Sequence, residues 1–301
     1  MVINMKNLTI LVNSCDKYED AWEPFFKILK LQWPECEQYR IVLNTESKVY
    51  DCDFLNVETI CGGKDVTWSQ RLKYVLERIE TDYILYFLED FFLLEKVSNE
   101  TFEEALKLIQ DSHDIGYIGL KYQKKREYRN PDDEDNSVRF INKDKIVTVN
   151  RINSMSALWN KSWLMSLIKD HETPWEFELY GSERSRRTPE KVLIINNEDG
   201  CCPCVFNYNV NVEYGHGLTF GQWLPKNVEL FEQYGIEVNF DNLGINYNIY
   251  NQALGLECND SSESDAVKKN IIRELLYKLK HRIKVIKKNR IKKQRKKMSL
   301  K

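Results

Sequence analysis

The sequence predicts an α/β protein with a mostly parallel sheet flanked by helices, and three observations carry that expectation. Between Leu8 and Leu120, short apolar runs rich in branched residues alternate with amphipathic helical stripes, the order that builds parallel strands joined by right-handed crossovers. The run Tyr83–Leu94 is apolar except for two adjacent acids, Glu89 and Asp90, and fits a central strand covered on both faces. At 301 residues and 42% hydrophobic, the chain can bury a substantial core, so a fully disordered protein is excluded.

Taken in order, Leu8–Val12 is a first strand and Asn13–Tyr18 a polar loop after it. Trp22, Phe25, Phe26 and Leu29 recur at helical spacing behind Asp20 and Glu23. Ile41–Asn44 and Leu55–Ile60 are the second and third strands. Leu72, Val75, Leu76 and Ile79 form a helical stripe entered through Trp68–Arg71, and it leads into the central strand. Phe102, Ala105, Leu106 and Ile109 mark a further helix, with Glu100, Glu103 and Glu104 near its positive end. Ile115–Leu120 is a short strand, and Tyr122–Asp144, with its acid run Asp132–Asp135, is expected to be a surface excursion. The sheet is expected to resume at Ile146–Val149. A helix with Trp163, Leu164, Leu167 and Ile168 follows, then the segment Thr173–Glu178 and a strand at Val192–Ile195.

Glu89 and Asp90 interrupt a buried run, where an ionised carboxylate is costly unless it is paired or holds a metal. Placed at the carboxyl end of a central strand, the pair would face the cleft where open α/β sheets bind ligands. Two readings stay open. The acids cap a turn or pair with a nearby cation, or they hold a divalent cation against a diphosphate. Eight cysteines without scaffold spacing suggest reduced thiols, and Cys201, Cys202 and Cys204 form one cluster lacking the second pair of a structural zinc site.

The net charge of −2 hides an asymmetry: residues 266–301 hold 16 Lys and Arg against Glu274 alone, leaving 28 basic and 45 acidic residues before them. Ile272, Leu275, Leu276, Leu279, Ile283 and Ile286 fall on one helical stripe flanked by Lys268, Arg273, Lys278, Arg282 and Lys287. That is the pattern of an interfacial helix on an anionic membrane surface; a helix docked on the acidic body is the other reading. Nucleic acid is not an expected partner, because the acidic body would repel phosphate backbones. With no signal-like amino end and no apolar run of about 20 residues, the expected place is cytoplasmic, peripheral on the inner face of the cell membrane.

In order and spacing, roughly residues 5 to 240 resemble the GT-A glycosyltransferases, particularly the family-2-like enzymes of bacterial capsular and surface polysaccharide synthesis. The resemblance implies a GT-A-like (Rossmann-like) domain over 1–240, with a nucleotide-sugar-binding half at 1–120 and an acceptor half at 121–240. A linker at 241–265 and the basic helical tail at 266–301 would complete the chain. It implies transfer of a sugar, with inversion, from a nucleotide-diphosphate donor such as a UDP-sugar to a hydroxyl of a glycan or lipid-linked acceptor. Leu88-Glu89-Asp90-Phe91-Phe92 stands where that family carries its aspartate-rich DxD motif, making Asp90 and then Glu89 ligands for Mn²⁺ or Mg²⁺; Glu-Asp-Phe departs from Asp-x-Asp. By the same resemblance Asn13, Ser14 and Asp16 would contact the nucleotide, Arg71 the diphosphate, and His216 a phosphate or metal. The acceptor base would be Glu178, or Glu176, in Trp175-Glu176-Phe177-Glu178, with Trp and Phe desolvating the carboxylate; a helix-start pair of glutamates is the structural alternative. A nucleotidyltransferase would need a Gly-rich loop after the first strand, and Asn13–Tyr18 has no glycine. A non-catalytic carbohydrate-binding protein would use the abundant Trp and Tyr for stacking, although the helical stripes argue against an all-β module.

Overall fold

The computed structural model describes residues 7–121, 132, 138–146, 148, 150–196, 205–208, 217–219 and 221–247. Eight strands form one sheet in the order β3-β2-β1-β4-β7-β5-β8-β6. They are β1 (Leu8–Asn13), β2 (Arg40–Thr45), β3 (Val57–Cys61), β4 (Tyr83–Leu88), β5 (Ile115–Gly119), β6 (Phe140–Asn142), β7 (Ala157–Asn160) and β8 (Lys191–Ile195). β3, β2, β1 and β4 run parallel, β5 and β8 run with them, and β7 and β6 pair antiparallel to their neighbours. This is the mostly parallel mixed sheet flanked by helices that the alternating runs foreshadow.

Every residue of β1 is buried, because β2 and β4 take both its edges and helices cover both its faces. Leu8, Ile10 and Val12 pack with α1 (Trp22–Gln32) and α3 (Asn99–Asp111); Leu11 packs on the opposite side with α2 (Trp68–Leu76) and α4 (Lys161–Leu167). α2 begins at a capping box in which Thr67 and Gln70 satisfy each other's backbone amides. α3 has the apolar stripe expected of it, with Phe102, Ala105, Leu106 and Ile109 all buried.

The long apolar run does not stay in the sheet. β4 ends at Leu88, Glu89 and Asp90 form a turn, and Phe91, Phe92 and Leu93 are buried beyond it. Phe92 lies against Trp223 of β10 (Gln222–Trp223), which pairs with β9 (Leu218–Thr219), and against Phe231 of α7 (Pro225–Tyr234). The run therefore serves two cores, one inside the sheet and one under the carboxyl-terminal helix. β1 and β2 lie on one side of the switch point and β4 on the other, so the carboxyl ends of β1 and β4 border the crevice where α/β sheets bind ligands.

Three sequence expectations are corrected. The third strand starts at Val57, since Asp53–Leu55 forms bends. The excursion expected over Tyr122–Asp144 includes β6, whose Ile141 pairs with Ile194 at the sheet edge. After that excursion the next strand of the sheet is the antiparallel Ala157–Asn160 rather than one starting at Ile146; Val147 and Val149 lie outside the described residues. So do the acid run beyond Asp132, the cysteine cluster 201–204, His216 and the tail 266–301. Of the expected linker, Gly244 and Asn246 hydrogen-bond to Trp223 through the backbone.

Gly116 marks a close approach: a Cβ there would sit 2.4 Å from the Trp163 ring of α4. Gly116→Ala should therefore lower stability by about 1–3 kcal/mol, the usual cost of overpacking, in urea unfolding; an unchanged midpoint would mean that the helix is free to move away from β5.

Candidate active site

The crevice floor is built by residues just past the ends of three parallel strands. Asn13 ends β1 and pairs in register with Asn44 of β2, whose Nδ2 donates to Asn13 Oδ1 at 2.6 Å. Ser14 continues the β1 path, donating its amide to the Asn44 carbonyl at 3.0 Å and accepting from Trp22 Nε1 at 2.7 Å. The β1 loop is thus tied to β2 on one side and to α1 on the other.

Asp16 and Arg71 hold the same loop from outside. Asp16 Oδ1 accepts the amides of Glu46, Ser47 and Lys48 at 3.1, 2.9 and 3.0 Å, and Oδ2 accepts the Ser47 hydroxyl at 2.6 Å. Partial burial pushes this carboxyl up, but the Ser47 hydroxyl and the three amides outweigh it and hold it down at about 2. Arg71, only 5% exposed on α2, donates to Glu46 Oε1 at 2.7 Å and to the Ser14 carbonyl at 3.2 Å. The structure commits both residues to shaping the loop, and Glu46, which sequence reasoning passed over, is the acid that joins them: its Oε2 accepts the Asp16 amide. Three polar atoms beneath this crevice are buried without a well-formed partner: Asn44 Oδ1, Arg71 Nε and the Tyr86 hydroxyl, beside which Asn13 stands.

Glu89 and Asp90 follow Leu88 directly, beside Ser14. Glu89 is 5% exposed; burial first, and the neighbouring Asp90 charge second, push its carboxyl up to about 8, only partly offset by its backbone bond, Ser14 and Arg71. Asp90 is half-buried, and its carbonyl accepts the Gly217 amide at 2.7 Å, which brings the β9–β10 hairpin onto the turn. Tyr18, pushed up to about 12 by burial and by Cys15, Glu89 and Asp90, faces the pair from the β1–α1 connection. Among the described residues no group of three His, Cys, Asp or Glu converges.

The Trp175–Glu178 segment separates its two glutamates. α5 (Pro174–Glu176) opens on a capping box in which Glu176 accepts the Thr173 amide at 3.0 Å. Thr-x-x-Glu carries that signature in the sequence. The helix then widens into a π turn over Phe177–Gly181, a distortion often found at functional sites, before α6 (Ser182–Ser185). Glu178 lies on the π turn, half-buried, with Oε1 accepting the Ser154 amide and hydroxyl at 2.8 and 2.6 Å and Oε2 accepting Asn150 Nδ2 at 3.3 Å. Trp175 is 64% exposed and does not shield it; Phe177 is the ring that buries, against Trp68 and Trp159. The Tyr86 hydroxyl on β4 is held up by burial and then by the charges of both Glu89 and Glu178, which act on it from opposite halves of the chain.

A cavity of about 420 Å³ lies elsewhere, lined by Glu37, Tyr39, Ile41, Asp53 and Phe54 near the amino end of β2. It is at the far end of that strand from Asn44, and carries none of this chemistry.

No family model and no curated protein matches the sequence. Among solved structures, the chain is similar to residues 1–349 of Staphylococcus aureus TarS, with 11% identity, a TM-score of 0.44, and coverage of 64% of this chain and 58% of that one. The same protein in complex with UDP-GlcNAc gives 13% identity and a TM-score of 0.42 over 64% of this chain and 56% of that one. A cytidylyltransferase from Leptospira borgpetersenii serovar Hardjo-bovis gives 14% and 0.41, covering 64% of this chain and 76% of that one. The chain thus spans less than two thirds of the length of TarS 1–349.

Because the folded carboxyl of Asp16 sits below its unfolded value of about 3.9, its contribution to stability is present above that pH and is lost as pH falls through about 2. Asp16→Asn should be less stable by about 1 kcal/mol at pH 7, and the deficit should close toward pH 2 in thermal melts. A deficit independent of pH would show that shape, not charge, matters at Asp16.

Proposed function

We propose that this chain is a glycosyltransferase that moves a sugar from a nucleotide-diphosphate donor, a UDP-sugar first among those to test, to a hydroxyl of a glycan or lipid-linked acceptor. The observation that carries the reading is the pair of adjacent acids at the end of β4, Glu89 buried and Asp90 half-buried, beside the β1 exit at Ser14, with Glu178 on the π turn acting electrostatically on Tyr86 of the same strand. Asn13 and Ser14 at the β1 exit would face the nucleotide, while Arg71 lends its charge from behind the loop rather than as a free cation.

A divalent cation fits the donor set on this edge. Hard carboxylate oxygens from Asp90, with Glu89 once ionised, suit Mg²⁺ or Mn²⁺ in sites whose remaining ligands are substrate phosphates and water. Bound there, it would neutralise charge on the departing diphosphate. The protein's own contribution is orientation and proton transfer. Glu178 is fixed by Ser154 and Asn150 and is exposed enough to receive a proton from an acceptor hydroxyl as that oxygen attacks the anomeric carbon. One positioned base suits a single displacement, hence inversion. The basic tail, outside the described residues, would bring the enzyme to an anionic membrane carrying a lipid-linked acceptor, in capsular or other surface polysaccharide synthesis.

Three substitutions test this in a donor panel with and without Mn²⁺. Asp90→Ala should remain folded and lose donor turnover by roughly 10²-fold or more; full activity in chelator and in Mn²⁺ alike would remove the metal assignment. Glu178→Gln keeps an oxygen for Ser154 but no longer takes up a proton, so kcat should fall by roughly 10²-fold while donor binding holds. Glu176→Gln should retain activity, since Gln also completes a capping box. If Glu176→Gln is the dead variant instead, the roles exchange; if both are active, the segment is structural.

A further inference from the structure

Seven tryptophans are present, and six have structural places: Trp22, Trp33, Trp159, Trp163 and Trp223 are buried and Trp68 is half-buried. Trp175 is the exception at 64% exposed. It is held where it stands. Pro174 and the Thr173–Glu176 capping box fix the turn that carries it, and its neighbour Phe177 is anchored 2% exposed between Trp68 and Trp159. An indole kept in water by a pinned backbone pays no ordering cost when a ligand covers it.

The surroundings select the kind of ligand. Lys169, Asp170, His171 and Thr173, which precede Trp175 in the chain, are all exposed, so the polypeptide leading to the ring is polar rather than apolar. Three residues further along the same segment stands the Glu178 carboxylate with Asn150 bonded to it, and Tyr180 follows at 40% exposed. A single aromatic face bordered by hydrogen-bonding groups is complementary to a molecule that has one C–H face and a rim of hydroxyls. A pyranose is such a molecule: its axial C–H hydrogens carry partial positive charge toward the negative face of the indole, while its hydroxyls meet the carboxylate and amide.

We propose that Trp175 is a stacking platform for the acceptor, and that the acceptor's terminal unit is a pyranose, its free hydroxyl directed toward Glu178. The assignment rests on the transferase reading only in giving Glu178 the reacting hydroxyl; the stacking is testable by itself. The full chain is titrated with chitotetraose, cellotetraose, maltotetraose and mannotetraose, following intrinsic fluorescence and saturation-transfer NMR. At least one should bind, with contact to indole protons. Trp175→Ala, at an exposed position, should melt as the wild type does and weaken that binding about tenfold or more, the scale of one aromatic contact, and Trp175→Phe should restore most of it. In transfer assays Trp175→Ala should raise acceptor KM far more than it lowers kcat, the reverse of Glu178→Gln. Binding of none of the four by the wild type, equal binding by Trp175→Ala, or a loss confined to phosphatidylcholine–phosphatidylglycerol vesicles overturns the platform. Saccharide binding lost in Trp175→Ala, in a protein that turns over no nucleotide sugar, would leave the platform standing and remove the transferase.

Discussion

The ion pair between buried Arg71 and half-buried Glu46 is the contact on which the geometry of this molecule turns. Arg71 lies on α2, Glu46 in the connection after β2, and a second guanidinium nitrogen holds the Ser14 carbonyl beyond β1. One side chain therefore fixes the exits of two parallel strands, and its charge also acts on Glu89. Losing Glu46 from this pair would leave the buried Arg71 guanidinium without its carboxylate, which is destabilising for a buried charge. Its value lies in specifying a single loop shape. The same helix reaches the other half of the chain: Ser69 Oγ accepts the Glu172 amide at 3.2 Å, Thr67 bonds the Asp170 carbonyl, and Trp68 packs on Phe177. α2 thus sets both the exits of β1 and β2 and the segment that carries Glu178.

Between these two edges lies Tyr86, buried and felt by carboxylates from each. The environments of the acids differ. Glu89 is deeply buried, and burial and the Asp90 charge push its carboxyl up, while Glu178 is half-exposed and held by three donors that orient it.

The parallel half was legible because its signals are local. Leu8–Val12, Ile41–Asn44 and Tyr83–Leu88 are apolar runs bounded by polar residues, and α1 to α3 have clear stripes. β7 was missed because Ala157–Asn160 is too short for a period to show, and β6 because Phe140–Asn142 sits at an edge inside a charged stretch. At the site, Glu89 and Asp90 stood out as acids in an apolar run, and the capping role of Glu176 was written in Thr173-x-x-Glu176. Glu46 was invisible: its partners are 25 and 30 residues away, and nothing local marks an acid that a distant arginine will bury. One signal was available and unused. Leu11-Val12-Asn13-Ser14 and Val42-Leu43-Asn44-Thr45 repeat one pattern at the ends of adjacent strands, and it places the Asn13–Asn44 pair.

The crevice between the ends of β1 and β4 is the centre of this reading, and a crystal structure of the protein soaked with UDP and Mn²⁺ examines it most directly. The diphosphate should lie across the Ser14 and Asp90 edge, with the metal on Asp90 and the Arg71–Glu46 pair unbroken behind it. UDP seated elsewhere, for instance in the 420 Å³ cavity beside Tyr39 and Phe54, with Asp90 bare, would contradict it.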